Sequence, residues 1–294
     1  MQRTPQPSGT LRFACTLLVA IAICLSGQRC TAQQVVFVVN SSGSLYEVDL
    51  TTCSSNLIGY TGVVFFDIAH CPNSGLLYGV TDMGELYIID QLTAAITYVG
   101  YTGEELDAMV CTSTGVVFAA SNANDHLYLV NTSSGWATSL GSTGVGGTSG
   151  GDLTFYNGQL YWSTEANEMV QVDPLFPGNS IILGYFQGVN DVYGIVSVLG
   201  CTQEVFVSAG SAFYSMNMTT LATAVQCAFV VPGDIYGAAS TTETVVNPSL
   251  QPAGPFCESD PPVALQASVG GGTWSASCGG CINNTNGVFD PRCV

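Results

Sequence analysis

Five aspartates recur along the 294-residue chain at intervals of about 40 residues: Asp67, Asp107, Asp152, Asp191 and Asp234. Each stands at the head of a short apolar run, Asp67–His70, Asp107–Cys111, Asp152–Tyr156, Gly194–Val198 and Ile235–Ser240. If those runs are equivalent strands arranged about an axis, one residue per strand becomes a ring at the mouth of that axis. Five carboxylates so placed offer oxygen ligands to a hard cation such as Ca²⁺. Crowded like charges also raise some of the pKa values, which is the arrangement that acid/base work uses. The same residues also serve as turn formers, each accepting backbone N–H bonds in its own loop. Cation or ligand ring, acid/base pair and turn former are the three uses open to them; no other cofactor is implied.

Other chemistry-bearing residues point to structure. Asp49, Asp90, Asn131, Asp173 and Asn217 form a second series in which Asp and Asn interchange. A local turn tolerates that exchange, and a metal ligand or catalytic acid does not. The repeated aromatics Phe37, Tyr78, Phe118, Tyr161 and Phe206 read as core. The two histidines, His70 and His126, fall in different repeats, and no Ser/His/Asp set, His-Glu-x-x-His or phosphate loop is present. The glycine-rich stretch 144–151 has no lysine after it and reads as a loop.

The elements that must hold these residues are short strands. The stretch GLLYGVTDMGELYIIDQLTAAITYVG (75–100) contains three, rich in β-branched and aromatic residues and separated by polar or glycine-bearing breaks. It recurs in copies ending at Gly59, Gly141 and Gly184, with a divergent copy ending near Gln226. With the Asp-headed strand added, each repeat holds four strands that are apolar on both faces. That pattern fits sheets packed between neighbouring sheets. The fold class is all-β, and the predicted architecture is a five-bladed β-propeller. The first copy lacks an inner strand, and Ile235–Ser240 is an inner strand with nothing after it. Together they complete one blade from both ends, so that the ring has no free sheet edge.

Residues 1–32 carry Arg3 and Arg12, the apolar run Phe13–Ser26 and the small-residue site Cys-Thr-Ala at 30–32, the pattern of a signal peptide. The chain is therefore expected to be secreted, with no membrane insertion after signal removal. Without that segment, 21 acidic side chains face a single arginine, Arg292, giving a formal charge of −20. Such a surface excludes nucleic acid as a partner, since that affinity comes from Lys and Arg neutralising phosphates. Nine of the 12 cysteines lie beyond the signal and are disulfide candidates in an exported chain. Cys71 and Cys111 occupy equivalent turns of adjacent repeats, and a bond between them is expected. Cys257, Cys278, Cys281 and Cys293 crowd the tail.

The propeller is expected over 33–243, a Pro-containing linker over 244–256 and a separate tail over 257–294. In the tail, Cys-Glu-Ser-Asp-Pro-Pro (257–262), Gly-Gly-Thr-Trp-Ser (271–275) and Gly-Val-Phe-Asp-Pro (287–291) resemble the opening of immunoglobulin-like modules in surface proteins of gliding-type bacteria. The propeller, with its Leu-Tyr-x-Ile/Val-Asp repeats, is similar to secreted propellers of the same kind of protein. Fewer than forty residues seldom fold alone, so the tail reads as a truncated module or a disulfide-rich knot. The resemblance implies cell-surface display and adhesion or scaffolding by a non-enzymatic module, with a protein or glycan ligand. A glycoside hydrolase with axial carboxylates is the alternative, and it needs an acid and a base or nucleophile roughly 5–10 Å apart.

Overall fold

The computed structural model describes residues 34–199, 202–243, 260–265, 281–283 and 285–293. The signal segment, the linker, Cys201, Cys257, Cys278 and Trp274 lie outside the described residues.

Twenty strands form five four-stranded antiparallel sheets. Blade I begins with β1 (Val35–Asn40), β2 (Ser44–Asp49) and β3 (Ser54–Tyr60). Blade II is β4 (Phe65–Cys71), β5 (Leu76–Thr81), β6 (Glu85–Ile89) and β7 (Ile96–Tyr101). Blade III is β8 (Leu106–Cys111), β9 (Val117–Ser121), β10 (His126–Val130) and β11 (Ala137–Ser142). Blade IV is β12 (Ser149–Tyr156), β13 (Gln159–Thr164), β14 (Glu168–Val172) and β15 (Ile181–Tyr185). Blade V is β16 (Gly194–Leu199), β17 (Gln203–Ala209), β18 (Ala212–Met216) and β19 (Thr223–Cys227). The last strand, β20 (Ile235–Ser240), pairs antiparallel with β1 in blade I, Val36 opposite Ser240 and Val38 opposite Ala238. The inner strands neighbour one another in the cyclic order β4, β8, β12, β16, β20. This is a five-bladed β-propeller.

Each of the five apolar cores draws residues from two adjacent blades. Tyr78 and Leu86 of blade II share one with Met109, Val117 and Tyr128 of blade III, and Val48 and Ala238 of blade I share another with Val196 and Phe213 of blade V. Both faces of a blade are covered, hence the two-sided apolar strands. The repeated aromatics sit here, with Phe37, Tyr78 and Phe206 buried and Phe118 and Tyr161 packed against their blades' cores.

Two repeat signatures acquire physical causes. Asp49, Asp90, Asn131, Asp173 and Asn217 each accept, through Oδ1, the backbone N–H groups two and three residues on; for Asp90 these are Leu92 and Thr93, both at 2.9 Å. The repeated glycine marks a β-bulge. Leu86 pairs with Gly100 but Tyr87 pairs with Tyr98, and Leu45/Gly59, Leu127/Gly141 and Met169/Gly184 repeat the shift. At that point the strand presses on the outer turn of the next blade. A Cβ on Gly100 would fall 1.9 Å from the Ser134 carbonyl, and one on Gly59 would fall 2.8 Å from that of Thr93.

In blade V the glycine's place is taken by Cys227, opposite Phe213. The turn residue it reaches, Cys53, aligns with Ala94, Gly135 and Leu221, and all four have positive φ. Cys53 and Cys227 are joined in a disulfide across 174 residues. The junction between the last and first blades thus replaces a glycine contact with a covalent bond. A second disulfide joins Cys71 to Cys111, between blades II and III. Replacing Cys71 and Cys111 together by serine is expected to lower stability by about 2–4 kcal/mol, because a loop of about 40 residues is freed in the unfolded chain. Denaturant midpoints of the oxidised proteins check this, and a loss below about 1 kcal/mol would contradict it.

The described part of the tail holds a two-stranded ladder, β21 (Val263–Ala264) with β22 (Val288–Phe289), and a 3₁₀ turn over Pro291–Cys293. Cys281 is buried. Among the described residues no helix is long and apolar enough to cross a membrane.

Candidate binding site at the axial mouth

The five aspartates do not form one ring. Strand pairing places Asp67 opposite Val80 and Asp152 opposite Ser163, while the equivalent positions in the other blades hold Ala108, Gly194 and Gly237. Asp107 lies one residue earlier. Asp191 and Asp234 lie three residues before their glycines, in exposed loops. The cause is a register shift at the start of the inner strands, between Phe65 and Asp67, Leu106 and Ala108, Ser149 and Asp152, and opposite Val39/Asn40 in blade I. Equal sequence spacing across a bulge does not give equal height in the barrel. Among the described residues no group of three or more His, Cys, Asp or Glu is arranged to hold a metal ion.

Asp67 and Asp152 are fully buried and tie blades together. Asp67 Oδ1 accepts from Ile68 N at 2.7 Å in its own strand, and Oδ2 accepts from Met109 N at 2.5 Å in blade III. Asp152 does the same with Leu153 N at 2.7 Å and Ile195 N at 2.9 Å in blade V. In both, one oxygen serves its own strand and the second serves the next blade. The two carboxyl groups also lie close enough to act on each other's titration. Burial raises both pKa values well above the ordinary carboxylate range, and the neighbouring Asp67 charge adds to the rise at Asp152. Glycine at 237 makes the room: a Cβ there would lie 2.5 Å from Asp67 Oδ1.

A third buried carboxyl, Glu243, follows β20. Thr154 Oγ1 donates to its Oε1 at 2.6 Å, and Ser197 Oγ donates to its backbone carbonyl at 2.9 Å. Burial pushes its pKa up to about 8. Sequence reasoning missed it, because a lone glutamate in Thr-Thr-Glu-Thr looks like the start of the linker. The available signal was polar residues, Thr154 and Ser197, on inner strands that are otherwise apolar.

Above this layer opens a cavity of about 480 Å³. Residues at the entrances of the inner strands line it: Phe66, Asp107, Gly150 and Gly151, Tyr193 and Tyr236, one position from each blade. Phe66 and Tyr236 pack at a tilt with centroids 5.5 Å apart, and Tyr193 meets Tyr236 edge-on at 6.1 Å. Glu165, Asp191 and Asn167 complete the acidic and polar side. Asp107 is 8% exposed, and its Oδ1 is buried without a hydrogen-bond partner. Asn167 Oδ1 is in the same condition, while its Nδ2 donates to the Val189 carbonyl at 3.0 Å. Burial raises Asp107 to about 7, with the Ser149 hydroxyl opposing the shift and Glu165 adding to it. Of the sequence candidates, the cavity gathers only Asp107 and Asp191. The aromatics were legible in the twin entries Asp191-Val-Tyr-Gly194 and Asp234-Ile-Tyr-Gly237, whose tyrosines are two walls of the site.

The fold and this mouth define a β-propeller with an axial cavity. No protein-family model and no curated protein matches the chain. Among solved structures, a chain of the nidogen/laminin complex is similar, with a TM-score of 0.47 and 12% identity over 71% of this chain and 85% of that one.

Proposed function

We propose that this protein is an exported, non-enzymatic binding module that takes its partner at the axial mouth, displayed at the cell surface for adhesion or scaffolding. The observation that carries the reading is the pair of buried, unpartnered acceptors, Asp107 Oδ1 and Asn167 Oδ1, in an aromatic-walled cavity. Unsatisfied buried acceptors cost stability, and a bound molecule that donates to them recovers that cost. The disulfides Cys53–Cys227 and Cys71–Cys111 support an oxidising compartment. Peptide and glycan arrays probed with the mature chain test the location of the site. Tyr236→Ala is expected to weaken each true hit at least tenfold, and Tyr60→Ala, on the outer strand β3, to leave it unchanged. Hits indifferent to Tyr236→Ala would refute binding at the mouth.

One observation favours a hydrolase as the second reading. Asp107, raised to about 7, is suited to a general acid, and Glu165 shares its cavity. That reading expects turnover of aryl glycosides with a bell-shaped pH profile, lost in Asp107→Asn. Absence of turnover across such a panel removes it.

A further inference from the structure

We propose that the axial mouth selects an organic cation, a protonated amine or guanidinium carried on an apolar stem; this rests on the mouth being the binding site. The unpartnered groups are both acceptors. Asn167 cannot present its NH₂ instead, because that group is committed to the Val189 carbonyl. Two buried positions open only to donors match a ligand group that has donors and no acceptor, and among common groups those are ammonium and guanidinium. A sugar hydroxyl brings an acceptor along with each donor and carries no charge to answer the carboxylates.

Charge and shape point the same way. Asp107, Glu165 and Asp191 line the cavity, and Asp234 stands close enough to act on Tyr193. Beyond residue 29 the sequence contains no lysine and a single arginine, Arg292, which pairs with Asp290 at 2.8 Å. Among the described residues no lysine or arginine lines the mouth, so a cationic ligand meets no competing protein charge there. Phe66, Tyr193 and Tyr236 supply aromatic faces for the cation and its stem. The volume exceeds what a single amine needs and accommodates the segment around a basic side chain.

The groups facing Asp107 are the Ser149 hydroxyl and the Glu165 carboxylate, with Asp191, Tyr193 and Tyr236 across the cavity. A cation binds the ionised form of Asp107. With the free group titrating near 7, the competent fraction rises about tenfold from pH 6 to pH 8, and apparent affinity rises with it. A neutral polyol has no reason to follow that curve.

The experiment is titration calorimetry of the mature chain at pH 6 and pH 8 with four probes: spermidine, a neutral hexapeptide with one central lysine, the same peptide with norleucine there, and chitotriose. The expected result is saturable binding of spermidine or the lysine peptide, about tenfold tighter at pH 8. Asp107→Asn should abolish the pH dependence and weaken binding at least tenfold, and Asp191→Asn, at the exposed rim, should weaken it severalfold. Preference for spermidine assigns the site to free amines, and preference for the peptide assigns it to a basic protein segment. Chitotriose or norleucine-peptide binding lost in Tyr236→Ala, with no response to the cations, would overturn the cation assignment while leaving the mouth as the site. Cation binding indifferent to pH and to both aspartate variants would also overturn it. Melting curves of the variants, which remove charge and no hydrogen bond, report whether each is folded.

Discussion

Deleting Asp234–Ser240 is expected to abolish the cooperative thermal transition of the propeller, whereas deleting Cys257–Val294 is expected to leave it in place. The deleted strand carries Ile235, Ala238, Ala239 and Ser240, all essentially inaccessible to solvent. It provides the inner ladder of blade I, and it is the neighbour of both β4 and β16 in the cycle of inner strands. Its loss bares β1 as an edge, uncovers the cores shared by blades I, II and V, and separates Gly237 from Asp67. The combined loss is comparable to the whole stability of a domain of this size, about 5–15 kcal/mol. Cys53–Cys227 ties blade V to blade I independently of β20. The deletion variant should therefore retain some compactness when oxidised and lose it in reductant. Calorimetry of both deletions, with and without reductant, is the check. Equal losses from the two deletions would contradict the assigned blade phase.

What the sequence made legible and what it hid divide along one physical line. Strand identity and the number of blades follow from apolar periodicity and turn residues: the stretch 75–100 holds the three strands β5, β6 and most of β7, and β20 occupies Ile235–Ser240 as read. Relative height on the inner strands does not follow, because a bulge adds a residue without changing the local composition. Asp67, Asp107 and Asp191 look equivalent in the sequence and lie at three different levels. Laying Cys53 over Ala94, Gly135 and Leu221, and Cys227 over the repeated glycines, would have given the junction disulfide, since those positions touch across other blade boundaries. Glu243 was hidden for a different reason. Nothing in the residues around it reveals that the chain turns inward after β20, and only the polar partners on β12 and β16 betray it.

Lowering the pH from 8 to 5 is expected to stabilise the protein. Asp67, Asp152, Asp107 and Glu243 are buried, and burial raises the pKa of each in the folded state. A carboxyl whose folded pKa exceeds its unfolded value binds more protons when folded, so stability falls as pH rises between the two values. The contribution is complete below about pH 4, where the unfolded group is also protonated, and is lost as pH rises through the folded value. For Glu243 the window runs from its ordinary value of 4.5 to about 8, and for Asp107 from 3.8 to about 7. Each is worth on the order of 4 kcal/mol across its full window, since one pKa unit corresponds to about 1.4 kcal/mol. The exposed turn aspartates Asp49 and Asp90, whose pKa values are lowered by backbone N–H bonds, lose their contribution only below about pH 4 and stay out of this range. His70 acts in the opposite sense, because burial lowers its pKa, but only below its ordinary 6.5. The net expectation is a melting temperature about 10 °C higher at pH 5 than at pH 8. Glu243→Gln keeps the carbonyl that accepts from Thr154 and removes the ionisable proton, so it should raise the melting temperature at pH 8 and flatten the profile above pH 6. A wild-type melting temperature that is level or rises between pH 5 and pH 8 would show that these carboxyls are hydrated or neutralised in the folded protein, and a Glu243→Gln variant less stable than wild type at pH 8 would show that the ionised carboxylate is the form the fold requires.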